Sequence, residues 1–171
     1  MVAAVFCGDF APPLAVAMLT IQNAVTAANL MSRTDCCASC QAAAVKHRLI
    51  VAYQAALALR QLRESSPVLS PAGAAHLQHA LTDPHCVTLL GPGYRKLRNG
   101  LLHLGLTDLP VKAGSALSLD EVLCRYTEED SVAGVVATIE GALTTIARAL
   151  EAWCLTGPRG GKGLHALLHR T

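Results

Sequence analysis

The chain reads as an all-α protein, a four- to five-helix up-and-down bundle, on three observations. Apolar residues recur every three or four positions along nearly the whole chain, the spacing of one helix face. No two alternating apolar and polar runs flank a hairpin turn, so no sheet is indicated. Hydrophobic residues make up 52% of the chain while aromatics make up only 4%. The core must therefore be built from Ala, Leu and Val, whose modest volumes suit close helix packing.

Each element has its own signal. A first helix is predicted over residues 12–31, opened by Pro12-Pro13 because proline is tolerated in the first turn. Its apolar stripe is Leu14, Met18, Ile21, Val25 and Ala28. A second helix, capped by Thr34 or Asp35, runs to Glu64 with Val45, Leu49, Ala52, Ala56 and Leu59 on one side. Ser70-Pro71 is a cap followed by an N1 proline and opens a short helix to Leu81. Pro84 and Gly91-Pro92-Gly93 then read as breaks before a helix over residues 94–104. A turn-rich loop follows over residues 105–118. Ser118-Leu119-Asp120-Glu121 forms a capping box for another short helix, and Thr127-Glu128-Glu129-Asp130 a second box opening the longest clean one. The stripe of that last helix is Val132, Val135, Ile139, Leu143, Ile146, Leu150 and Trp153, which puts Trp153 in the core. Gly157-Pro158 ends it. The organisation is thus one helical domain over residues 1–157 and a basic tail over residues 158–171.

At 171 residues the chain can bury a proper core. Only 15% of residues are charged, which excludes a disordered or strongly solvated protein. A net charge of +2 does not announce a nucleic-acid binder, but its distribution is informative. No acidic residue lies between Asp83 and Asp108, whereas Arg95, Lys96 and Arg98 fall there together with His85 and His103.

The seven cysteines are an odd number, and no basic n-region or uninterrupted apolar run marks a secretory segment. Reduced thiols and a cytoplasmic location are the expectation. The best membrane candidate, residues 14–31, is interrupted by Gln22, Asn23 and Asn29, so no membrane association is expected. Cys36, Cys37 and Cys40 invite a zinc reading, but no second paired cluster completes a tetrahedral site. No metal and no cofactor is therefore expected. Gly157-Pro158-Arg159-Gly160-Gly161-Lys162-Gly163 lacks the Ser or Thr that follows a phosphate-loop lysine, and no strand precedes it.

The chemistry concentrates in Arg98-Asn99-Gly100-Leu101-Leu102-His103. On a helix, Asn99 and His103 are four apart and share a face, so the amide is placed to orient the imidazole, and Arg95 continues that face. Arg98 lies roughly 140° around the axis from His103 at about 100° per residue. One helix does not converge the two groups; two copies related by a two-fold axis would. Such a cluster suits RNA cleavage by transfer to the 2′-hydroxyl. A histidine titrating near pH ~6.5 moves the protons, and an arginine fork holds the phosphate oxygens. The nucleophile belongs to the substrate, so no metal is required. Tyr94, Arg95 and Lys96 are candidate RNA-binding residues, Tyr94 by stacking a base or else by packing beside Leu97.

The segment from Tyr94 to Gly105 resembles the signature of the HEPN superfamily, an arginine, a polar residue and then a histidine. The likeness covers about the second half of the chain. It implies a HEPN-like helical bundle that dimerises along its motif helices, and a metal-independent endoribonuclease with Arg98 and His103 catalytic and Asn99 supporting. It also implies a toxin or defence effector with an antitoxin or other regulatory protein as partner. One departure matters: a toxin subgroup carries a tyrosine two residues after the histidine, where this chain has Gly105, which argues against control through that tyrosine. The alternative is a non-catalytic module of the same type that binds RNA, a nucleotide or a protein. A third possibility is a purely structural adaptor.

Overall fold

The computed structural model describes residues 5–31, 38–65, 68–103 and 119–156. Among these there are seven α-helices and no strand: α1 Pro12–Leu30, α2 Ala38–Glu64, α3 Pro71–Thr82, α4 Pro84–Leu89, α5 Pro92–His103, α6 Leu119–Thr127 and α7 Val132–Leu155. A single 3-10 turn, Phe6–Gly8, precedes them. The predicted tail over residues 158–171, the predicted loop over residues 105–118 and the cysteines Cys36 and Cys37 lie outside the described residues, as does the side chain of Cys40.

The all-α expectation stands, but seven described helices outnumber the four or five expected for the bundle. Six of them carry the signals given above, and the seventh is α4, at whose start Pro84 reads as a break. Asp83 caps it, accepting from the backbone of His85 at 2.9 Å and of Cys86 at 3.4 Å, and Pro84 sits in its first turn. That is the same cap-then-proline grammar as Ser70-Pro71, where the Ser70 hydroxyl accepts from the Gly73 amide at 3.1 Å.

Helix α7 forms the centre. α1, α2, α3, α4 and α6 all pack on it, and Val135, Ile139, Leu143, Ile146, Leu150 and Trp153 of its predicted stripe are buried. Its cap is Ser131, accepting from the Gly134 amide at 3.2 Å, rather than the predicted box at Thr127; α6 continues through Thr127 instead. In α1 the buried face is Ala15, Met18, Val25 and Ala28, so Leu14 is turned out to 40% exposure and Ile21 to the margin. Apolar residues on both sides of this helix blur the period that would separate core from surface. By length and composition alone, α1 and α7 are apolar enough to cross a membrane, which corrects the expectation that no stretch is. As folded, α7 supplies the core.

The N-terminal turn is pinned to the end of α7. Phe6, Phe10 and Trp153 form an aromatic triad with ring centroids 5.0–5.8 Å apart. Asp9 accepts from the Ser70 amide at 2.7 Å, the Ser70 hydroxyl at 2.9 Å and the Trp153 indole N–H at 2.8 Å. Phe6 and Cys7 hold left-handed φ values of 55° and 61°, a strained pair that this surrounding packing fixes.

Gly73 is the residue that lets this junction close, because a Cβ there would stand 2.1 Å from Asp9 Oδ2 and 2.7 Å from Trp153 Nε1. Gly100, inside α5, has no described residue within 4 Å of the same position. Gly73→Ala should therefore destabilise the protein by about 1–3 kcal/mol through overpacking. Gly100→Ala should stabilise it by about 0.5–1 kcal/mol through helix propensity. Urea denaturation followed by circular dichroism reads both, and equal effects from the two substitutions would contradict the packing described.

Candidate active site on the fifth helix

Helix α5 packs on α2, α4 and α6. Its inner face is Tyr94 and Leu97, both 1% exposed, with Leu101 partly buried behind them. Its N-terminal end presses closely on the end of α6: a Cβ on Gly93 would meet the Tyr126 carbonyl oxygen at 2.2 Å. Only a residue without a side chain allows α5 to lie there.

Tyr94 is therefore a core residue and offers no ring face to a nucleobase, which corrects the stacking role considered for it. Its position three residues before Leu97 places it on the inner stripe. The Tyr94 hydroxyl donates to Glu129 Oε1 at 3.1 Å, and the Thr138 hydroxyl donates to the same oxygen at 3.1 Å. Burial pushes the tyrosine hydroxyl well above its ordinary pKa, with the Glu129 charge adding to the effect. The phenol stays protonated and donating, which joins α5, the turn before α7 and α7 itself.

Arg98 lies on the side of α5 that meets α2. Its guanidinium carbon is 5.3 Å from the centre of the Tyr53 ring, and its Nη1 donates to Asn99 Oδ1 at 2.6 Å. Nε is buried without a hydrogen-bond partner. Arg95 and Lys96 are exposed on the outer side, and Leu102, farther along α5, is 39% exposed. None of the three cations forms an ion pair with a described carboxylate. Arg48 of α2 provides the contrast: its side chain is only 6% exposed and meets Glu140 Oε1 of α7 at 2.8 Å. Arg48 is paired with an acid, whereas the described residues that hold Arg98 are neutral.

The predicted trio is thus brought together only in part. Arg98 and Asn99 touch, an association between adjacent residues that helical spacing did not suggest. The Asn99 oxygen takes Arg98 with one lone pair, which leaves the other lone pair and the amino group for a further partner. His103 is the last residue of α5, one turn beyond Asn99, and its side chain lies outside the described part of the structure. Tyr53, the platform beneath Arg98, was missed by sequence reasoning. The available signal was its rarity as one of three tyrosines in the chain, set on an Ala- and Leu-rich helix.

Among the described residues no three His, Cys, Asp or Glu side chains gather as metal ligands. A polar groove of about 550 Å³ between α1 and α7, lined by Gln22, Asn29, Glu140 and Arg148 among others, holds none of the predicted site residues. The cysteines with displaced pKa values are poor nucleophiles. Burial, helped by Asp83, pushes the Cys86 thiol up to about 12, and burial also raises Cys154. Compared with protein-family models, curated proteins and solved structures, the chain finds no match. The functional reading therefore rests on its own residues.

Cys86 also gives the fold a pH dependence of definite sign. Folding raises its pKa from 9.0 to about 12. The native thiol thus keeps a proton that the unfolded chain loses, and the stabilisation is complete below pH 9 and falls away as pH climbs from there toward 12. Within that window Cys86→Ala should flatten the fall in unfolding free energy by about 1.4 kcal/mol per pH unit, read by urea titrations at successive pH values. An unchanged slope would contradict a buried, protonated Cys86.

Proposed function

We propose that the chain is a metal-independent endoribonuclease of the HEPN type, built as an up-and-down helical bundle that pairs with a second copy along α5. What carries this reading is Arg98, a cation held on Tyr53 and Asn99 with no described acid to neutralise it, on the same helix as His103. The exposed outer side of α5, with Arg95, Lys96 and Leu102, offers both phosphate contacts and an apolar patch for the partner helix.

In the proposed reaction the 2′-oxygen attacks the adjacent phosphorus as an imidazole takes its proton. The 5′-oxygen leaves with a proton from an imidazolium, and the product ends in a 2′,3′-cyclic phosphate. His103 from the two copies supplies both proton-transfer groups. Arg98 forks onto the non-bridging oxygens, where its charge counts for more as the phosphorus becomes crowded and more negative. Asn99 supports Arg98, and Arg95 with Lys96 holds flanking phosphates. A cytoplasmic toxin or defence effector, governed by an antitoxin or another regulatory protein, is the setting that fits a broadly acting RNA cutter.

A second reading is a non-catalytic module of the same type that binds RNA, a nucleotide or a protein partner. It is favoured by the Arg98 to Asn99 hydrogen bond, which occupies one donor of the guanidinium and the amide oxygen together.

Incubation of the wild type and His103→Ala with total RNA in EDTA separates the two. Wild-type cleavage leaving 2′,3′-cyclic ends, reduced about 10²–10⁴-fold in the variant, is the expected result. Tight RNA binding with no turnover selects the binding module, and equal cleavage by both proteins removes His103 from the reaction.

A further inference from the structure

We infer that Tyr53 is the positioning residue that holds Arg98 ready for a phosphate oxyanion. The inference rests on the reading of Arg98 as a phosphate-binding residue. Tyr53 is 3% exposed on α2, flanked by the buried Ala52, Ala55 and Ala56, so its ring is fixed by the core. α5 packs against α2. The guanidinium of Arg98 stands 5.3 Å above the ring centre.

An aromatic ring is a special kind of partner for a cation. It attracts the charge through its quadrupole, yet takes no N–H donor and contributes no neutralising charge. A carboxylate in the same place would do the opposite, as Glu140 does for Arg48 at 2.8 Å. Asn99 takes one N–H of Nη1 and Nε is buried, so the remaining N–H groups of Nη1 and Nη2 are the donors that would meet the oxygens of a phosphate. A free arginine must give up its rotamer freedom to present them. Tyr53 and Asn99 impose that ordering before any ligand arrives.

The side-chain Nε–H signal of Arg98 reads this directly by NMR. In the wild type and in Tyr53→Phe it should be displaced by the ring current and should move again on titration with inorganic phosphate. Binding of a 2′-O-methyl RNA, which cannot be cut at its modified riboses, should be unchanged within twofold in Tyr53→Phe. It should be about 2- to 30-fold weaker in Tyr53→Leu, the range a cation–ring contact supplies. If Tyr53→Leu does not fold, Tyr53→Phe with progressive ring fluorination keeps the shape and drains the ring's electron density. Stepwise weaker binding along that series upholds the inference. Constant affinity along it, full affinity in a folded Tyr53→Leu, or a wild-type Nε–H signal that phosphate does not move overturns it. Phosphate and RNA binding that follow Tyr53 as stated, without RNA cleavage by the wild type, uphold the inference and sink the nuclease reading alone.

Discussion

Every other described helix except α5 leans on the buried face of α7. A stripe from Val135 to Trp153 supplies the apolar surface on which the surrounding helices close. Apolar contact is non-directional and does not by itself choose a register. Four polar ties at different heights along α7 do that work. Thr138 binds Glu129 of the preceding turn, Glu140 binds Arg48 of α2, Thr145 binds Asp83 at the head of α4, and Trp153 binds Asp9 of the N-terminal segment. Each joins a group on α7 to a group from a different part of the chain, so sliding any one element would strand a polar atom in the interior.

The candidate site is carried outboard of this frame. α5 rests chiefly on α2, α4 and α6, with Gly93 allowing its close seat on α6 and Tyr94 tying it to Glu129. One side is thereby fixed and the other left open to a partner or a ligand. The two buried or half-buried arginines show how the same side chain is put to two uses. Arg48 meets a carboxylate and serves as a structural pair, while Arg98 meets a ring and an amide and no described carboxylate.

Local grammar made much of the fold legible. Ser70-Pro71 announced α3, and the stripe from Val132 to Trp153 announced α7, because cap, proline and period all agree at those places. Asp83-Pro84 carried the same message for α4 but is followed by only six helical residues, too few to show a period. In α1 the surface side is as apolar as the core side, so Ala15 rather than Leu14 turned inward. The site was legible only along its own helix. Arg98 meeting Tyr53 joins residues far apart in the sequence, and no spacing rule reaches across that separation. The burial of Tyr94 was within reach, since Tyr94, Leu97 and Leu101 follow the helical period.

A composite site, with His103 of both copies serving one phosphodiester, is tested most directly by subunit mixing. Wild-type and His103→Ala proteins would be unfolded together in varied ratios, refolded to exchange subunits, and assayed on RNA, with native mass spectrometry counting the mixed dimers. Cleavage that falls as the square of the wild-type fraction, with mixed dimers inactive, is the predicted result. Cleavage that falls in simple proportion to the wild-type fraction while mixed dimers form would contradict it.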